Sequence, residues 1–214
     1  MKLYYSPGAC SLAPHIMAEE LGLKIETVKV DLKTHKTEKG EDYYKISPKG
    51  SVPALVLDNG ELLTEGPIIS QFLCSQKKDQ KFLPPEGDLR RFKILEWLNF
   101  TTSEVHKTFS VFFTASHEYT DEGARKQVLE RAKTNILKKV EHVEKSLGAK
   151  GPYLTGSEFS PADAYLYTVL SWAKPLGIDL SGYPKVMGFL EKVDTRPAVQ
   201  AAREMEGTGA GAKK

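Results

Sequence analysis

The spacing of apolar and polar positions changes period along the chain and divides it in two. Leu3-Tyr4-Tyr5 is a short apolar and aromatic run that predicts a strand, ended by the turn-forming Ser6-Pro7-Gly8. Leu12, His15-Ile16, Glu19 and Leu21 then recur at helical spacing, and Gly22 can close the helix in a left-handed conformation. Lys24 to Val30 alternates with period two and predicts a second strand, so the order is strand, helix, strand, a βαβ unit with parallel strands. Asp31 to Gly40 is polar, and Asp42 to Ile46 predicts a short helix or turn stopped by Ser47-Pro48-Lys49-Gly50. Val52 to Leu57 and Leu62-Leu63 flank Asn59-Gly60, which signals a hairpin with a type I′ turn. Gly66-Pro67 places proline in the first turn of a helix reaching about Gln76, with Ile68, Ile69, Phe72 and Leu73 facing inward. A βαβ unit followed by ββα is a thioredoxin-like layout: a small mixed sheet with helices packed on it.

The second half carries only helical periodicity. Residues 1–77 form the predicted thioredoxin-like domain, and the polar stretch 78–88, broken by Pro84-Pro85, reads as a linker. Residues 89–206 form an all-helical domain. Asp88 can cap a long helix bearing Phe92, Leu95, Trp97-Leu98 and Val105, and a second helix runs from about Asp121 to Leu147. Ser160-Pro161-Ala162-Asp163 approximates a capping box and starts an apolar helix that reads as the core of this domain. Shorter helices follow near Pro184–Val193 and Pro197–Met205, and the Gly/Ala/Lys-rich segment 207–214 is expected to be a flexible tail.

Composition is that of an ordinary globular protein, with 40% hydrophobic and 27% charged residues, enough in 214 residues for one large core or two modest ones. A net charge of +2 gives no large field directed at nucleic acid or an acidic membrane. No apolar run is long enough to span a bilayer and no signal core opens the chain, so a cytoplasmic location is expected. Two cysteines build no disulfide framework, and no His/Cys cluster has metal-ligand spacing.

Cys10 falls at a helix N-terminus, where unsatisfied N–H groups and the macrodipole favour a thiolate. That effect is worth about 0.3–1 kcal/mol, less than roughly one pKa unit, so strong activation needs a further donor such as Ser11, Tyr5 or a distant histidine. A buried structural cysteine is the alternative. The positions three residues away are Pro7 and Ala13, which excludes a Cys-x-x-Cys dithiol and points to chemistry with an external thiol. Cys74 lies on an apolar helix and reads as structural. On the long helix, Asn99, Ser103 and His106 share a face that Ser110 and Phe113 continue. That stripe either lines a wet cleft or is simply solvated.

In its order of motifs the chain resembles the cytosolic glutathione transferases, the bacterial beta class above all. The resemblance runs through Gly8-Ala9-Cys10-Ser11-Leu12, Val52-Pro53-Ala54-Leu55, Leu63-Thr64-Glu65-Gly66, Trp97-Leu98-Asn99 with Glu104-Val105-His106-Lys107, and Ser160-Pro161-Ala162-Asp163-Ala164-Tyr165. It implies that glutathione is the co-substrate, with no metal. It implies that Val52 pairs with the cysteinyl backbone, that Pro53 is cis, and that Glu65 holds the γ-glutamyl ammonium with the Gly66 N–H at its carboxylate. Cys10, Ser11 and His106 would be the catalytic set at the sulfur, with Tyr5, Asn99 and Ser103 close by and Glu104 reaching the partner subunit of a homodimer. Phe109 and Phe113, with Tyr5, would wall a pocket for small hydrophobic electrophiles. Two positions depart from the pattern: Gly66 stands where many members have serine, and His35 where beta-class members often have lysine, leaving His35, Lys33 or Lys36 for the glycyl carboxylate. Expected activities are conjugation and disulfide exchange. A specialised dehalogenase or ether-cleaving enzyme, or a non-enzymatic binding member of the fold, is the alternative.

Overall fold

A five-stranded sheet of order β3-β2-β1-β4-β5 organises the first half of the chain in the computed structural model, which describes residues 1–78, 80–148 and 151–209. β1 (Lys2–Tyr5) pairs in parallel with β2 (Glu26–Asp31), and α1 (Leu12–Glu20) crosses between them, as a βαβ unit requires. β4 (Ala54–Val56) pairs antiparallel with both β1 and β5 (Leu62–Thr64). The Val52–Pro53 peptide that precedes β4 is cis. The polar stretch after β2 also holds a two-residue edge strand, β3 (Lys36–Thr37), which the sequence pattern did not signal. α1 closes as expected: Gly22 has φ +59°, and the N–H of Leu23 returns to the Ala18 carbonyl.

The turn at Asn59-Gly60 differs from the expected type I′. Gly60 alone of the pair has positive φ, and its N–H bonds the Leu57 carbonyl at 3.0 Å while the Leu57 N–H bonds Glu61 at 2.8 Å. This is a three-residue loop, a type I turn closed by a left-handed glycine. The Asn59 side chain accepts the Glu61 N–H at 3.0 Å.

α2 (Gly66–Ser75) completes the first layer. The second half begins with one long helical column: α3 (Leu89–Phe100), a π-helical stretch (Thr101–His106) and α4 (Lys107–Glu118). α5 (Glu122–Ser146), α6 (Pro161–Leu170), α7 (Pro184–Asp194) and α8 (Pro197–Met205) follow. Every residue of α6 is buried, which explains why its sequence is apolar all round. α1 packs on α2, α6 and α8, so it too is buried on nearly every side. The larger hydrophobic core therefore runs from Leu3 and Leu55 through Ile16, Leu98 and Leu166 to Val199, and a smaller one joins Tyr4, Val28, Val30, Tyr43, Val52 and Ala54. Phe82 and Leu83, inside the predicted linker, insert into that core. Residues 207–209, expected to be mobile, are held: Thr208 exchanges hydrogen bonds with Arg203. Residues 210–214 of the same segment lie outside the described residues.

Candidate active site

A cleft of about 850 Å³ lies between the sheet domain and the helical column. Its floor is the loop from Pro7 to Cys10 at the head of α1, with Val52, Pro53 and the start of α2 beside it. The Cys10 thiol faces this cleft and donates to the Val52 carbonyl at 3.2 Å. Burial pushes its pKa up, as do the carboxylates of Glu65 and Glu206. The N–H groups of Cys10 and Ser11 pull the other way, and the balance leaves the thiol at about 12. The helix-terminal assistance expected from the sequence is thus present but outweighed, because burial disfavours the charged form more strongly. The Ser11 hydroxyl is not a donor to the sulfur. It is fully buried and bonds back to Ser6, accepting its N–H at 3.2 Å and donating to its carbonyl at 3.3 Å.

Glu65 sits at the N-terminal boundary of α2 with φ +70°, a conformation that costs a side-chain-bearing residue on the order of 1–3 kcal/mol. Its carbonyl accepts the Ile68 and Ile69 N–H groups at 3.0 and 2.9 Å, starting the helix. Its carboxylate lines the cleft, next to helix-terminal N–H groups suited to an anion. Gly66 follows, with a conformation and surroundings open to a side chain: the nearest neighbour of an added Cβ is Pro53 Cγ at 3.5 Å.

Thr102, His106, Lys107, Ser110 and Phe113 bring the second domain to the cleft. Thr102, His106, Ser110 and Phe113 share a face because they are spaced by four, four and three residues. The wider π-helical turn rotates Asn99 and Ser103 away from the face of His106, Ser110 and Phe113. Asn99 and Ser103 point to solvent instead, the Ser103 hydroxyl bonding the Asn99 carbonyl at 3.0 Å. Glu104 turns toward α5 and pairs with Lys139. The Nδ1 of His106 meets the Tyr165 hydroxyl at 2.6 Å. Burial pushes the Tyr165 pKa up, so the phenol is neutral, and its contact with Nδ1 orients the imidazole with Nε2 as the free ring nitrogen. Burial, aided by Lys107 and opposed by Glu65, holds the His106 pKa below its ordinary value, and the ring is neutral at neutral pH.

Trp172, which the sequence reading did not single out, joins the two domains at this cleft. Its indole N–H donates to the Gly8 carbonyl at 2.8 Å. Its ring stands edge-on to His106 (5.0 Å), Phe113 (5.3 Å) and Phe109 (5.9 Å). Phe109 is itself fully buried behind the indole and does not line the cleft. Neither does Tyr5, whose ring packs on His15 at 5.9 Å. Phe113 does line it and is half exposed. Tyr165 and Trp172 were detectable only as a polar ring and an indole on a buried helix and its end, a signal too weak to assign them.

At the opposite end of the cleft His35 has φ +51° and lies against Tyr44 with ring centroids 4.5 Å apart. Its Nδ1 is buried with no partner among the described residues. Lys33 lines the cleft beside it, whereas Lys36 belongs to β3 and does not. Both cysteines are free, and Cys74 is buried in α2. No cluster of potential metal ligands occurs among the described residues.

A thioredoxin-like domain, a helical domain and a thiol cleft between them define the class of glutathione-dependent transferases. Residues 8–76 match the glutathione S-transferase N-terminal domain, and residues 100–197 match the C-terminal domain. The chain is 41% identical to glutathione S-transferase GstA of Escherichia coli O157:H7, over 97% of this chain and 99% of the relative. It superposes on the beta-class glutathione S-transferase of Sphingomonas chungbukensis with a TM-score of 0.89 and 41% identity, covering 97% of this chain and all of that one. A sphingomonad glutathione S-transferase complexed with glutathione gives 0.88 and 42%, with 97% and 99% covered. The chain belongs to the glutathione S-transferase family, and its structural neighbours include a bacterial beta-class member.

Proposed function

We propose that the interdomain cleft binds glutathione with its γ-glutamyl end at Glu65 and its sulfur between Cys10 and His106, and transfers it to hydrophobic electrophiles. The observation that carries this reading is the placement of Glu65. A carboxylate held in a strained backbone conformation at the cleft wall, in the same cleft as an imidazole, fits a ligand with an ammonium at one end and a thiolate at the other. In conjugation the glutathione thiol loses its proton to solvent, and the His106 Nε2–H donates to the sulfur and favours the resulting thiolate. The thiolate attacks the electrophilic carbon, a sulfur–carbon bond forms, and the leaving group departs with its electron pair. Phe113 and Trp172 give that half of the cleft an apolar wall suited to a hydrophobic electrophile.

Cys10 belongs to the disulfide-exchange branch. Its thiolate attacks a glutathione disulfide, a mixed disulfide forms, and one glutathione thiolate leaves. A second thiolate then attacks the mixed disulfide and releases Cys10. Burial keeps this thiol protonated at neutral pH, so the branch quickens as pH rises, and in this reading conjugation runs through the glutathione thiolate at His106. His106→Ala should therefore lower kcat/KM for a generic aryl halide by about 10- to 100-fold, as loss of a transition-state donor does, while Cys10→Ala keeps most of the rate. The reverse pattern would assign the chemistry to Cys10. A homodimer is part of this reading, supported by the exposed apolar Leu89 and Phe92 at the start of α3; sedimentation of a monomer at micromolar concentration would remove it. A cytoplasmic location accords with the two free thiols.

A further inference from the structure

Glu65 does not stand alone. The Lys49 Nζ lies 2.5 Å from Glu65 Oε1 and 3.2 Å from the Thr64 hydroxyl, reaching across from the turn before β4. That turn is closed by the Gly50 N–H on the Ser47 carbonyl at 2.9 Å, with Gly50 at φ +65°, so the stem of Lys49 starts from a fixed point. Lysine carries three donors. Lys49 is not itself part of the cleft lining and reaches its rim through Glu65 and Thr64, which are; two donors are directed at these residues, and the third is open, since both side chains of the pair are more than half exposed.

We infer that Lys49 is a glutathione-binding residue: it takes the α-carboxylate of the γ-glutamyl end while Glu65 takes the α-ammonium. This rests on the reading that the cleft binds glutathione. The two charges of that end sit on one carbon, so a recognition site for it needs an anion and a cation side by side, and the Glu65–Lys49 pair has that arrangement. Gly66 leaves the cation a role. With no side chain, it offers a carboxylate only its backbone N–H, and an ammonium adjacent to Glu65 replaces the missing hydroxyl donor. Lys49 also keeps Glu65 paired before substrate arrives, so the carboxylate is oriented in advance.

The test is calorimetric titration of the wild type, Lys49→Met and the double variant Lys49→Met/Gly66→Ser. Each is titrated with glutathione and with 4-aminobutyryl-Cys-Gly, which keeps the ammonium and lacks the α-carboxylate. Serine fits at position 66, because an added Cβ meets nothing nearer than 3.5 Å. Lys49→Met should weaken glutathione binding about 5- to 20-fold, the range of a charge-assisted hydrogen bond at a half-exposed site. The analogue should bind both forms equally, and the serine should restore part of the glutathione affinity. Unchanged or tighter glutathione binding by Lys49→Met would make Lys49 a bystander or a competitor for Glu65 and overturn the inference alone. An equal loss for the analogue would also overturn it, since the lost contact would not be to the carboxylate. A wild type that does not bind glutathione overturns both this inference and the function it rests on.

Discussion

Cys10 shows how one residue can be located from sequence while its chemistry is not. Its position at the head of a helix was legible from Pro7-Gly8 and the spacing that follows. The direction of its pKa was not, because burial and the nearby Glu65 and Glu206 come from distant parts of the chain. The sign is clear: a thiol held at about 12 is almost entirely protonated at neutral pH, and its thiolate fraction rises tenfold per pH unit until that value. The rate at which oxidised glutathione modifies Cys10 should therefore climb from pH 7 to 10 without a plateau, as intact mass measured over time would show. A plateau between pH 8 and 9 would mean an activated thiol. With His106 neutral, His106→Ala should leave this profile unshifted, which separates its role at the substrate sulfur from any role at Cys10.

At the scale of elements, α6 depends on a small polar cluster inside an apolar helix. Asp163 accepts the Leu154 N–H at 2.8 Å, the Ser160 N–H at 2.9 Å and the Ser160 hydroxyl at 2.6 Å, all buried. Asp163→Ala leaves these donors unpaired beneath the core helix and should cost about 2–4 kcal/mol, at about 1–3 kcal/mol for a stranded buried group. Urea unfolding measures this, and a loss below 1 kcal/mol would show that the cluster does not hold the helix. The capping pattern was readable in Ser160-Pro161-Ala162-Asp163 because capping is local. By the same token the strands, the hairpin and the long helices were readable from period and turn residues alone. Of the stripe, His106, Ser110 and Phe113 reach the cleft while Asn99 and Ser103 are solvated, a split that the sequence did not show because a π-helical turn leaves no local signature in period. β3 was missed because two residues at a sheet edge pair only once β2 is in place.

Across the whole molecule, the loop that carries Cys10 is held from the far end of the chain. The Gly8 carbonyl accepts from Trp172, and the Gly8 N–H donates to Glu206 Oε2 at 2.9 Å. Glu206 Oε1 meets His15 Nδ1 at 3.0 Å, and both side chains are buried. Glu206→Ala strands the Gly8 N–H and His15 together and should lower stability by about 2–4 kcal/mol, with the Trp172 fluorescence transition moving to lower urea. An unmoved transition would contradict this coupling of the domains. The cleft depends on such contacts, which tie residues more than 160 positions apart and were not visible in the sequence. Its central claim is glutathione recognition through Glu65. Calorimetric titration of the wild type and Glu65→Gln with glutathione tests it most directly. The wild type should bind at one site per chain, and the variant should lose about 10- to 100-fold in affinity with unchanged unfolding, the cost of losing a charge-assisted pair. Equal affinity of the two proteins would contradict it.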